Sequence, residues 1–134
     1  MQEIFLVHDQ QESAAARKSF LEMSGYRVVL FDRGSDCIAE LSKGLPGLVL
    51  MDILIEGPTG FDVTREIRER FTAQQLPVIL TSTIYRSRVY REEAYACGAQ
   101  AYILRPVKLE DLVQQVGEVL SHQVAPAAPV PEAA

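Results

Sequence analysis

Tryptophan is absent from this chain, and aromatic residues make up only 7% of its 134 positions, so its core must be built from aliphatic side chains. Cysteine is almost absent. Cys37 and Cys97 lie far apart without CxxC spacing, which excludes a disulfide framework or zinc knuckle and reads as two reduced thiols packed in helices of a cytosolic protein. Histidine occurs only at His8 and His122, so a His-containing metal site, though conceivable at His8, finds no second histidine near it. No run approaches the roughly 18 apolar residues of a membrane span. The opening Met1-Gln2-Glu3-Ile4-Phe5-Leu6-Val7 carries an acid and no base, unlike a signal peptide, so the expected location is the cytoplasm. Excess positive charge is also missing. A net charge of −5 argues against a general nucleic-acid-binding surface.

What is present is the balance of an ordinary globule, 48% hydrophobic and 23% charged, at a length that suits one domain with a real core. Short apolar runs occur at Ile4 to Val7, Val28 to Phe31, Leu48 to Met51 and Val78 to Leu80, with a weaker one at Ala101 to Leu104. Their brevity, β-branching and weak alternation suit strands buried on both faces of a parallel sheet. Between them lie helical spacings. Ala16, Phe20 and Met23 share one face before a stop at Gly25. Ser35 is placed to cap a short helix carrying Ile38 and Leu41 and ending at Gly44. Val63, Ile67 and Phe71 recur every four residues, and Leu109, Leu112, Val113, Val116, Val119 and Leu120 form an amphipathic stripe.

Strand and helix thus alternate five times, which predicts an α/β domain with a parallel sheet covered on both sides. The domain is expected to span residues 1–122. From Val124 onward three prolines stand among alanines, so residues 123–134 read as a Pro/Ala-rich tail or linker. In such sheets function gathers at the carboxyl ends of the strands. Those ends hold His8 and Asp9, then Asp52, then Ser82 and Thr83, and finally Arg105.

Three segments carry a family likeness. Leu50-Met51-Asp52-Ile53, with Gly60 eight residues beyond the aspartate, resembles the phosphorylation segment of response-regulator receiver domains. Pro77-Val78-Ile79-Leu80-Thr81-Ser82 resembles that family's fourth strand, and Gly98-Ala99 followed by Tyr102-Ile103-Leu104-Arg105-Pro106 resembles its fifth. The resemblance implies a flavodoxin-like five-stranded sheet of order 2-1-3-4-5 and a two-component signalling module rather than an enzyme. It implies Asp52 as phosphoacceptor, a switch hydroxyl at Ser82 (counting from Pro77) or Thr83 (counting back from Gly98), a switch aromatic at Tyr102, and Arg105 in the place of the conserved cation. It also implies a cis peptide at Arg105-Pro106, and Mg²⁺ held by Asp9, Asp52 and the backbone carbonyl of Leu54. The implied partners are a histidine kinase or phosphotransfer protein, and an effector or fused output domain docking on the face of the fourth helix, fifth strand and fifth helix. The cluster Arg86-Ser87-Arg88-Val89-Tyr90-Arg91 adjoins that face.

The chemistry agrees with the likeness. A carboxylate can hold a phosphoryl group as an acyl phosphate, and the transfer mainly requires positioning and charge neutralisation. Three positions depart from the family. His8 replaces an acid and supplies no hard oxygen for Mg²⁺, Arg105 replaces a lysine, and Glu56 replaces a loop proline. Mg²⁺ is therefore expected to bind weakly. A pseudo-receiver that binds partners without phosphorylation is the alternative, with Arg105 and His8 neutralising Asp9 and Asp52. A flavin-binding enzyme of the same architecture is excluded, because His8-Asp9-Gln10-Gln11-Glu12 has no glycine and carries carboxylates where a phosphate would sit.

Overall fold

A computed structural model describes residues 2–8 and 11–122. The expected metal ligand Asp9 and the tail 123–134 lie outside the described residues. The elements run β1 (Glu3–Val7), α1 (Gln11–Met23), β2 (Arg27–Phe31), α2 (Gly34–Leu41), β3 (Leu48–Asp52), α3 (Gly60–Arg70), β4 (Val78–Ser82), α4 (Arg88–Ala96), β5 (Ala101–Leu104) and α5 (Leu109–His122). All strand pairs are parallel and their order is β2-β1-β3-β4-β5, as the family resemblance implied. No helix among the described residues is long and apolar enough to cross a membrane.

Side chains alternate across a strand, and here the alternation divides the core in two. Ile4, Leu6, Leu48, Leu50, Ile79 and Ile103 point to one face and pack with Leu21 of α1 and with Leu112, Val116 and Leu120 of α5. Phe5, Val7, Val49, Met51, Val78 and Leu80 point to the other, against Cys37, Ile38 and Leu41 of α2, Val63 and Ile67 of α3, and Ala94 of α4. Both thiols are buried and free.

Two helix readings need correction. In α1 the inward residues are Ala14, Arg17 and Leu21, whereas Ala16 is exposed and Met23 is 82% exposed. The charged Arg17 broke the apolar stripe in the sequence, and Met23 took its place in the pattern. In α2 Ser35 is not the cap. The helix starts at Gly34 after Arg33, which makes no side-chain capping bond. A Cβ on Gly34 would lie 2.3 Å from Val63 Cγ2, so close packing of α2 on α3 sets that start. Gly25, with φ 103°, terminates α1 as expected, since only glycine enters this region without strain. Phe71 closes α3 as its C-cap, half-buried against the core.

Candidate functional site

β3 ends on Asp52 at the centre of the sheet, and the same two-residue alternation that sorts the core aims its carboxylate. Leu48, Leu50 and Asp52 face the α1/α5 side, as do Ile4, Leu6 and then His8 just past β1. Ile79 leads to Thr81, and Ile103 leads to Arg105. Asp52 and Thr81 are direct register partners in the β3–β4 ladder. Four strand ends thus deliver four polar groups to one place. α1 delivers a fifth, Arg17, from the turn that faces them.

The Asp52 carboxylate is almost completely enclosed. Thr81 Oγ1 donates to Oδ1. His8 Nε2 lies 2.8 Å from Oδ2, Arg105 Nη2 donates to Oδ2 at 3.1 Å, and Arg17 Nη1 stands 3.6 Å from Oδ1. Burial pushes the Asp52 carboxyl up, against the pull of Arg17, Thr81 and Arg105. Burial likewise lowers the Arg17 guanidinium to about 10, against the attraction of Asp52. For both partners the loss of solvent outweighs their mutual attraction, as expected for a buried ion pair. Residues 53–59 stay close because α3 begins at Gly60. Gly60 N donates to Ile53 O at 2.8 Å, and a Cβ there would fall 2.7 Å from Asp52 O. A capping box between Thr59 and Asp62 fixes the turn.

The carboxylate opens onto a cleft of about 200 Å³ lined by Leu54, Thr81, Ser82, Thr83, Ile84 and Arg105. Both expected switch residues line this cleft, but among the described residues no hydrogen bond joins either hydroxyl to Asp52. Ser82 sits on the opposite face of β4, where its Oγ accepts from the backbone N–H of Ile84 (3.0 Å) and Tyr85 (2.9 Å). Thr83 is exposed. The hydroxyl on Asp52 is Thr81, which sequence reasoning passed over, as it passed over Arg17. Tyr102 is buried in the α2/α3/α4 side of the core and donates its hydroxyl to Tyr85 O. Burial raises its phenol. Ser82, Tyr85 and Tyr102 are therefore linked in series, and Tyr85 also stacks on Tyr90 of α4 at 4.5 Å. Arg86 donates to Arg105 O at 2.9 Å, joining the arginine cluster to the site through backbone. Arg105-Pro106 is cis.

The expected Mg²⁺ ligands are less well provided for. Among the described residues, Asp52 is the one acid lining the cleft, and no group of three His, Cys, Asp or Glu side chains could hold a metal ion. Glu56 is turned away into an exposed ion pair with Arg33, 2.8 Å. Mg²⁺ needs hard oxygens and partial negative charge, whereas the Asp52 oxygens face two guanidiniums and an imidazole. Among the described residues, this donor set does not by itself fit a divalent cation.

Residues 4–117 match the family described as response regulator receiver domain. Among curated proteins, the chain is similar to Protein PilH of Pseudomonas aeruginosa, 29% identical over 123 residues that cover 90% of this chain and 99% of that protein. It is also similar to the phosphate regulon transcriptional regulatory protein PhoB of Rhizobium meliloti, 27% identical over 87% of this chain but only 51% of that protein. The chain thus spans nearly the whole of the first relative and about half the length of the second. Among solved structures, a CheY-like response regulator receiver domain protein of Methanospirillum hungatei superposes with a TM-score of 0.83 at 25% identity, covering 92% of this chain and 97% of the other. The BeF₃-activated N-terminal receiver domain of Klebsiella pneumoniae RstA superposes with a TM-score of 0.81 at 25% identity, covering 88% of this chain and 97% of the other.

Proposed function

The chain belongs to the response-regulator receiver domain family, and we propose that it works by accepting a phosphoryl group on Asp52 and passing the change to a partner-binding face. Receiver domains are signalling modules of two-component systems. They take phosphoryl groups on aspartate from histidine kinases and act on output domains or partners. The observation that carries the assignment is the position of Asp52. It is the last residue of the central strand, with its carboxylate at the mouth of a cleft large enough for a phosphoryl group.

The step is a displacement at phosphorus. An Asp52 oxygen attacks the phosphoryl group, a P–O bond forms, and the donor's P–O or P–N bond breaks with its electron pair leaving on the donor. Arg105, already on Oδ2, neutralises the charge that arrives. Thr81 holds the other oxygen, which orients the carboxylate for attack. The donor is a histidine kinase or phosphotransfer protein.

The output follows from the linked side chains. To donate its O–H to a phosphoryl group in the cleft, the Ser82 side chain has to rotate from the opposite face of β4, away from the two backbone N–H groups it now accepts. Releasing them frees the 84–85 turn, and with it the carbonyl that holds Tyr102. The face built by α4, β5 and α5 is then biased between two arrangements, which requires only a few kcal/mol of differential interaction. An effector or a fused output domain would dock there.

Incubation with acetyl phosphate followed by intact-mass measurement tests the assignment. One phosphoryl mass is expected on the wild type and none on Asp52→Asn. A wild type that never gains mass would favour constitutive partner binding, since Asp52 is already paired with cations. Undiminished labelling of Asp52→Asn would place the acceptor elsewhere.

A further inference from the structure

Arg17 is 3% exposed, yet among the described residues its Nε, Nη1 and Nη2 find no hydrogen-bond partner. Its charge partner, Asp52 Oδ1, is 3.6 Å away, beyond hydrogen-bond length. A guanidinium carries five donors in a planar fork, and leaving them unmet in a buried place is costly. Arg105 repeats the pattern, with its Nε also unmet. A second cleft of about 250 Å³, lined by Ala16, Arg17, Thr83, Arg105 and Pro106, meets the first at Thr83 and Arg105. Arg17 and Arg105 therefore both line the cleft that adjoins the Asp52 pocket, and both stand within 4 Å of its carboxylate. Planar forks of this kind match the oxygens of a phosphoryl group in pairs.

We propose that Arg17, together with Arg105, supplies the charge neutralisation for a phosphoryl group on Asp52, so that the site operates without a divalent cation. This rests on Asp52 being the phosphoacceptor. With acetyl phosphate as donor, the Asp52 carboxylate attacks phosphorus, the bond to the acetate oxygen breaks, and acetate leaves with the electron pair. The two reactants carry three negative charges in all. The products are an acyl phosphate dianion and acetate, again three. The dianion faces two permanently placed cations, and its oxygens meet the donors that Arg17 and Arg105 now leave unmet. A divalent ion would have to enter beside those same cations, which raises its cost in a buried pocket.

The test compares phosphorylation by acetyl phosphate in excess EDTA with that in millimolar Mg²⁺, read as intact mass. Wild type should give the same adduct within about twofold in both, because fixed donors and not a mobile ion stabilise the charge. Arg17→Gln should lose about tenfold or more of the EDTA adduct, while Arg17→Lys, which keeps the charge and loses the fork, should retain part of it. A parallel titration of wild type with Mg²⁺, followed by amide shifts, should leave the signals of Asp52, Ile53 and Leu54 unmoved. An adduct that forms only with Mg²⁺ overturns the inference and leaves Asp52 as acceptor. Mg²⁺-dependent shifts at Asp52 to Leu54 overturn it as well. No adduct under either condition removes the phosphoacceptor assignment and the role of Arg17 with it. The wild-type comparison decides the matter even if the Arg17 variants fold poorly.

Discussion

Thr81, itself fully buried, donates the hydrogen bond that fixes one oxygen of Asp52. Thr81→Val keeps the shape and deletes the donor, leaving a buried carboxylate oxygen short of a partner. A loss of about 1–3 kcal/mol is expected in denaturant unfolding, with Thr81→Ser nearly neutral by comparison. Equal stability for the Val variant would mean that the cations alone hold Asp52. A second residue-scale test uses Cys37, whose thiol burial pushes up to about 12 from 9.0. Between those values the folded protein keeps a proton that the unfolded chain has lost. Stability contributed by the neutral thiol is full below pH 9 and falls as pH climbs toward 12. The stability advantage of wild type over Cys37→Ala should therefore shrink across that window. An unchanging difference would show a thiol in contact with solvent.

The elements test the packing directly. On α1, Leu21 is fully buried and Met23 is 82% exposed. Leu21→Ala should cost about 2–5 kcal/mol, whereas Met23→Gln should stay within about 0.5 kcal/mol. A large effect at Met23 would restore the face that the periodicity suggested. At the start of α3, Gly60→Ala drives a methyl group against the backbone of Asp52 and Ile53. It should cost about 1–3 kcal/mol and tilt the acceptor. All five strands and four of the five helices were legible, because short β-branched runs and helical spacings are local signals, whereas α4 (Arg88–Ala96) carries no such stripe and was placed only by the resemblance. Arg17 was not legible, because a charge inside an apolar stripe reads as a break in it. Thr81 was legible in principle. Its two-residue offset from Ile79 puts it on the same face as Leu50 and Asp52, but attention to the strand end favoured Ser82 and Thr83. That end could not show that Ser82 turns away, since this depends on which side of β4 its hydroxyl finds backbone donors.

At the scale of the whole molecule, the sheet separates the Asp52 pocket, on the α1/α5 side, from Tyr102, on the α2/α3/α4 side. In the proposed switch the signal passes around the end of β4, through Ser82 and Tyr85. With the phosphoryl mimic beryllofluoride, amide shifts should appear at Ser82, Ile84, Tyr85 and Tyr102. Tyr102→Phe, which deletes the bond to Tyr85 O at a cost of about 1 kcal/mol, should confine them to the first three. Shifts that persist at position 102 in that variant would route the coupling elsewhere. The central claim, that Asp52 is the residue that takes the phosphoryl group, is tested most directly by reducing the phosphorylated protein with borohydride and mapping its peptides. An aspartyl phosphate is reduced to homoserine, so homoserine should appear at position 52 and at no other acidic residue. Homoserine at a different aspartate would contradict the account, as would an unreduced Asp52 in a protein that has gained the phosphoryl mass.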